Sequence, residues 1–263
     1  MQNADICTCF IYSCPAECRA NLTVTTIPSS IIADLAKLDI TPTAAQGELL
    51  ARYLDLLLET NRKFNLTAVR DRDEAWGRHI VDSLTLLPFV AMLPPGAAVI
   101  DVGTGGGLPG IALAIMRNDL RVTLLEATGK KARFCQQCAA DLPLDNVRVM
   151  HSRAETAGRD RAHRQRYDAA VCRAIGAMNV LLECCLPLVR VDGRVLAMKG
   201  PKAEAELQAA GHALDILGAA EVEVRDAYTD GFDQNTVIVA ITKHAATPKT
   251  YPRPPGMPAQ SPL

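Results

Sequence analysis

Between Val99 and Gly110 the chain reads VIDVGTGGGLPG, an apolar run that ends in an acid and opens into clustered glycines. Glycines let main-chain amides approach a ligand closely, and amides at the start of a helix remain free to donate hydrogen bonds. Glu126 stands 23 residues after Gly103, at the end of the next apolar run. A carboxylate there offers two acceptors, which suits the paired hydroxyls of a ribose. Strand, glycine turn, helix and acid in this register predict a nucleoside-containing ligand rather than an empty turn.

Two cofactor classes compete for this signature. Gly105, Gly107 and Gly110 spell the G-x-G-x-x-G of nicotinamide enzymes, but the spelling begins three residues past the strand. The turn opens instead as Asp101-x-Gly103-x-Gly105. An acid two residues before the first glycine, with no pyrophosphate to cradle, is the arrangement that S-adenosylmethionine loops favour. The expected cofactor is therefore S-adenosylmethionine, with Asp101, Gly103, Gly105 and Glu126 as candidate contacts and a nicotinamide oxidoreductase as the rival.

A second group lies upstream. On a helix, Arg78 and Asp82 share a face, as do His79 and Ser83, each pair being four apart. Either this is a surface ion pair beside a packed histidine, or the face overhangs the ligand and touches a substrate. Lys199 closes a strand at the carboxyl edge of a sheet, where ligands collect. Arg78, His79, Asp82 and Lys199 are thus the substrate-side candidates.

The elements that must hold these residues follow from periodicity. Ser29 and Ser30 can cap a helix over residues 31–38, and Thr43 with Gln46 forms a capping box before a long amphipathic helix. A third helix is expected from Asp73 to about Val90. From Ala97 short apolar strands alternate with helices: strands at 98–102, 121–126, 147–150, 167–172 and 194–199, helices at 108–116, 130–140, 178–189 and 204–217. Strands at 221–228 and 236–242 follow one another directly. Continuous apolar strands alternating with helices imply a mostly parallel α/β sheet covered on both faces, here seven-stranded with an antiparallel edge pair. That is the Rossmann-like class I methyltransferase order, with a helical cap in front. The expected division is a disordered extension over residues 1–28, which lacks core periodicity, a helical cap over 29–96, a cofactor-binding core over 97–246, and an extended Pro-rich surface arm over 247–263.

Composition sets outer limits. Of 263 residues 49% are hydrophobic, enough for a sizeable core, and no apolar run approaches the roughly 18 residues of a spanning helix. No secretory leader opens the chain, so a cytoplasmic protein is expected. A net charge of −1 gives no global argument for a nucleic-acid partner. Local basic clusters, four arginines from Arg159 to Arg166 and Lys243, Lys249 and Arg253 near the end, read as solvated loop charge or as an RNA-facing patch. Cys135, Cys138, Cys172, Cys184 and Cys185 read as small core residues, and Cys135-x-x-Cys138 lacks the second pair a zinc site needs. Cys7, Cys9, Cys14 and Cys18 match no metal framework, so no metal is expected.

Several segments together resemble the bacterial 16S rRNA (guanine-N7) methyltransferase family, the ribosomal RNA small subunit methyltransferases G. They are NLTAVR at 65–70, RHIVDSL at 78–84, the loop 101–110, SRAE at 152–155, CRA at 172–174, MKGP at 198–201 and the proline-rich ending 247–258. The resemblance spans roughly residues 30–263, and it leaves the cysteine-rich start outside. It implies that Gly103 and Leu108 contact the cofactor, that Ala154 and Glu155 border its adenine, and that Arg173 lines the pocket. It also implies a 16S rRNA or small-subunit partner, for which a monomer is expected. Guanine N7 presents a lone pair and no proton, so no residue is assigned as general base. A methyltransferase of small molecules or proteins, and a non-catalytic ribosome-assembly protein, are the remaining rivals.

Overall fold

The computed structural model describes residues 26–229, 231–232 and 234–263. Cys7, Cys9, Cys14 and Cys18 lie outside them. Seven strands form one sheet in the order β3-β2-β1-β4-β5-β7-β6: β1 (Ala98–Val102), β2 (Arg121–Glu126), β3 (Val147–His151), β4 (Tyr167–Arg173), β5 (Val189–Lys199), β6 (Ala219–Asp226) and β7 (Val237–Lys243). β3, β2, β1, β4 and β5 run parallel, and β7 is antiparallel to both neighbours. The expected mixed sheet with an antiparallel edge pair is present.

Side chains alternate between two cores, as the two-residue period of a strand requires. Val99, Val122, Leu124, Val171 and Leu196 face one core, while Ile100, Leu125, Ala170, Cys172 and Val195 face the other. The first core also takes in the leading helices α1 (Ser29–Lys37), α2 (Ala44–Asn61), α3 (Arg72–Ala75), α4 (Asp82–Leu84) and α5 (Leu87–Val90), with α6 (Gly110–Met116) and α7 (Gly129–Asp141). The second is closed by α8 (Ala154–Arg159), α9 (Met178–Cys185), α10 (Ala203–Ala209) and α11 (Gly211–Leu217). Trp76, Tyr53, Leu54 and Leu57 are fully buried, so the cap and that face of the sheet share one interior.

Some elements differ from the sequence expectation. Thr43 and Gln46 do form the capping box, but Ser29 and Ser30 open α1 without capping it, and Pro28 holds the N-cap position. The helix expected over 73–90 is interrupted. A wide π-helical turn, Trp76–Val81, joins α3 to α4, and α5 starts afresh at Leu87. Thr85 Oγ1 donates to the Asp82 carbonyl at 2.7 Å, and Pro88 lacks the amide that would extend the ladder. Pro187 ends α9 early, letting β5 begin at Val189, and the 204–217 helix breaks at Ala210 before Gly211. The SRAE segment opens the short helix α8, which periodicity did not signal. The ending is packed and carries α12 (Met257–Gln260): Thr247, Pro252 and Pro258 are buried.

Candidate functional site: a glycine turn at the carboxyl edge of the sheet

β1 ends at Val102 and the chain turns sharply beneath Glu126. Gly103, Gly105 and Gly107 have φ of +67°, +61° and +95°, the left-handed region that costs a glycine nothing. Gly103 is exposed at the turn, so its main chain is open to a ligand. Gly110 is glycine for a different reason. A Cβ there would stand 2.8 Å from Asp101 Oδ2 and collide with Leu124, so α6 could not pack on β2.

Two carboxylates shape the turn. Asp101 is wholly buried under it, and its Oδ2 accepts from Thr104 Oγ1 at 2.5 Å and from Gly110 N–H at 2.8 Å. Burial pushes its carboxyl up to about 7, against the lowering effect of those two hydrogen bonds. Asp101 thus shapes the loop from below. Glu126, at the end of β2, accepts Gly105 N–H on Oε2 at 2.9 Å and Thr128 N–H on Oε1 at 2.7 Å. Each oxygen keeps one lone-pair direction, so the carboxylate that braces the turn still has acceptor capacity for two hydroxyls. Leu108 is buried in the first core.

The second group gathers round a cavity of about 460 Å³ lined by Arg78, His79, Asp82, Arg173, Ala174 and Thr236 among others. Arg78 and Asp82 are not paired. Arg78 bridges instead to Glu74, four residues earlier, at 3.1 Å, and Asp82 pairs with Arg173 at 3.2 Å. Asp82 also accepts from Thr236 Oγ1 at 2.9 Å and Tyr228 Oη at 3.1 Å. Arg173 Nη1 donates to the Arg78 carbonyl at 2.9 Å as well. His79 Nε2 lies 2.8 Å from Thr67 Oγ1, and its buried Nδ1 has no hydrogen-bond partner among the described residues. Burial first, then the Arg173 charge, lowers His79 to about 4, so the ring is neutral at pH 7. Ser83 does not reach the imidazole and donates to the His79 carbonyl at 2.5 Å. Lys199 is turned inward, donating to the Gly176 carbonyl at 2.9 Å and pairing with Glu206 at 2.6 Å.

Ala154 and Glu155 open α8, just past the carboxyl end of β3. The Glu155 carboxylate accepts the Gly256 N–H on Oε1 at 2.9 Å, and the residue is buried. Part of each basic cluster has structural partners, while Arg161, Arg166 and Lys249 are exposed. Arg159 and Arg164 donate to tail carbonyls, including Pro252 O and Tyr251 O, both at 2.7 Å. Arg253, read from the sequence as solvated loop charge or part of an RNA-facing patch, is paired with buried Glu183 at 2.6 Å. Lys243, expected to be solvated, is fully buried on the carbonyls of Leu186 and Val189, and burial lowers it to about 7. These pairings join residues some 54 to 93 positions apart, so local charge patterning carries no trace of them. Cys135, Cys138, Cys172, Cys184 and Cys185 are buried free thiols. Among the described residues no three of His, Cys, Asp or Glu gather as a metal site.

Three contributors carried no sequence signal. Tyr53 Oη on α2 donates to the Gly106 carbonyl at 2.7 Å, tying the cap to the turn. Asn61 holds the amides of Leu66 and Thr67 at 2.8 and 3.0 Å and so fixes the segment that meets His79. Tyr228 reaches Asp82 across 146 residues.

Comparison with known proteins agrees with this geometry. The family model described as rRNA small subunit methyltransferase G matches residues 46–236. The Ribosomal RNA small subunit methyltransferase G of Moorella thermoacetica is 45% identical over 226 residues, covering 85% of this chain and 93% of that protein. The chain belongs to the rRNA small subunit methyltransferase G family. The family member from Symbiobacterium thermophilum is 42% identical, covering 87% of this chain and 95% of its own length. Among solved structures, an S-adenosyl-L-methionine-dependent methyltransferase of Methanococcus maripaludis superposes with a TM-score of 0.50 at 12% identity, over 66% of this chain and 90% of that one. An O-methyltransferase of Thermotoga maritima also gives 0.50 at 14% identity, over 73% and 72%. At such identities the likeness concerns the fold, a Rossmann-like methyltransferase sheet.

Proposed function

We propose that this protein transfers a methyl group from S-adenosylmethionine to N7 of a guanine in 16S rRNA. Membership of a family named for small-subunit rRNA methylation supports the reaction. The observation that carries the cofactor reading is Glu126, buried at 6% exposure, braced by two amides and still able to accept at the mouth of an exposed glycine turn. In this reading Gly103, Gly105 and Leu108 line the turn, Glu126 takes the ribose hydroxyls, and the Ala154–Glu155 main chain borders the adenine. Asp101 acts beneath them, holding the turn in shape.

S-adenosylmethionine supplies an electrophilic methyl group on a sulfonium sulfur. The chain's own work is to orient the acceptor and keep water away. Guanine N7 offers an in-plane lone pair, so no side chain needs to accept a proton there. Arg173, fixed by Asp82 and the Arg78 carbonyl, presents positive charge between the turn and the cavity. Arg78, His79 and Asp82 form the wall against which an unstacked guanine would rest, as RNA readers of exposed bases require. Lys199, held on the Gly176 carbonyl and Glu206, stands outside the lining of that cavity. Residues 29–96 then act as the cap, 97–246 as the cofactor core and 247–263 as the tail, and one chain supplies every residue named, so a monomer suffices. No helix among the described residues is long and apolar enough to cross a membrane.

The test is incubation with S-adenosylmethionine and unmodified small-subunit rRNA, free and within subunits, followed by mass-spectrometric mapping. One new N7-methylguanosine is expected. No product despite cofactor binding would move the acceptor elsewhere.

A further inference from the structure

Helix α8 lies between α9 on one side and the chain's last seventeen residues on the other, and the tail contacts are specific. Glu155 accepts the Gly256 N–H at 2.9 Å. Gly158 lies so close to the tail that a Cβ would stand 2.9 Å from Pro252 Cγ. Arg159 donates to the carbonyls of Pro252 at 2.7 Å and Thr250 at 3.2 Å. Just beyond the helix, Arg164 donates to Gly158 O at 2.8 Å and to Tyr251 O and Thr247 O, each at 2.7 Å. The tail is itself anchored on α9. Glu183 there has 0% exposure, and it accepts the Arg253 N–H at 2.7 Å and the guanidinium on both oxygens, at 2.6 to 3.1 Å. A buried carboxylate held bidentately by arginine is strongly directional, and removing either partner is costly.

We propose that the C-terminal tail is a positioning element of the cofactor pocket, fixing α8 and with it the Ala154–Glu155 main chain through the Glu155–Gly256 and Glu183–Arg253 contacts. This rests on the reading that Ala154 and Glu155 border the cofactor. With Oε1 of its carboxylate bonded to the Gly256 N–H, Glu155 is tied to the tail, and where its main chain stands is set by what grips the helix. Of the tail's two cations, Lys249 is exposed while Arg253 is committed to Glu183, and the tail's carbonyls are the groups that Arg159 and Arg164 hold.

The test uses the full chain and S-adenosylhomocysteine as probe, with titration calorimetry and hydrogen exchange of the ligand-free protein. Glu155→Ala removes the acceptor and is expected to weaken binding about tenfold, the scale of one hydrogen bond to a charged group. Amides of α8 should exchange faster, with those of β1 and β4 unchanged. Glu155→Gln retains an oxygen for the Gly256 N–H and should restore binding to within about twofold of the parent. Unchanged affinity in Glu155→Ala overturns the proposal, as does a Gln variant no better than Ala, since the charge would then act on the ligand directly. If Glu155→Ala does not fold, Arg253→Lys decides: it keeps the charge but loses the fork. Weaker binding with faster α8 exchange upholds the positioning role, and parental behaviour overturns it. A parent chain that binds the probe but makes no N7-methylguanosine would sink the proposed substrate while leaving this inference standing.

Discussion

Glu126→Gln separates the two duties assigned to that carboxylate. In the parent, Oε2 accepts from Gly105 and Oε1 from Thr128, at 2.9 and 2.7 Å. The glutamine side chain has nearly the same shape but only one accepting oxygen, so one amide N–H must face an NH2 group. Hydrogen bonds to charged groups contribute about 1.5–3 kcal/mol each, so the variant loses about 2 kcal/mol of stability and Glu126→Ala about twice that. For a chain of this size each kcal/mol lowers Tm by about 2–4 °C, which gives a fall of about 4–8 °C for the Gln variant. The ribose assignment adds a second loss. With one charged acceptor fewer, affinity for S-adenosylhomocysteine should fall by about 2 kcal/mol, or about 30-fold. Scanning and titration calorimetry on the same preparations read the two effects independently. A lowered Tm with parental affinity would refute the ribose assignment. An unchanged Tm would refute the bracing of the turn.

Two further outcomes follow from the same geometry. Gly103→Asp, at a φ of +67° and with a Cβ position 3.3 Å from Ile175 Cδ1, should cost only about 1–2 kcal/mol of stability yet abolish binding of S-adenosylhomocysteine; calorimetry showing tight binding would move the ligand off this turn. His79 is held down at about 4 by burial and by Arg173, against 6.5 when unperturbed. Between those values the unfolded chain binds the proton and the folded chain does not, so its contribution to stability is fully present above pH 6.5 and is lost as pH falls towards 4. Urea unfolding at pH 7 and pH 5 should show a smaller decline in His79→Gln than in the parent, and equal declines would contradict the burial argument.

The sequence by itself determined what depends on local order. The apolar strands, the capping box at Thr43, the left-handed glycines after Asp101 and the acid at the end of β2 all express rules that act within a few residues. Their succession was enough to specify a mostly parallel sheet with an antiparallel edge. The same local rules misplaced the helix over 73–90, where a threonine hydroxyl and Pro88 interrupt an otherwise apolar period. They also gave no sign of α8. Only the tertiary structure decided which groups meet. Asp82 chooses Arg173, Tyr228 and Thr236 over its i,i+4 neighbour Arg78. Glu183 takes Arg253 from 70 residues away, and Arg159 and Arg164 donate to tail carbonyls. The physical reason is that a buried charge must find a partner wherever packing brings one, and which partner arrives is fixed by the whole fold.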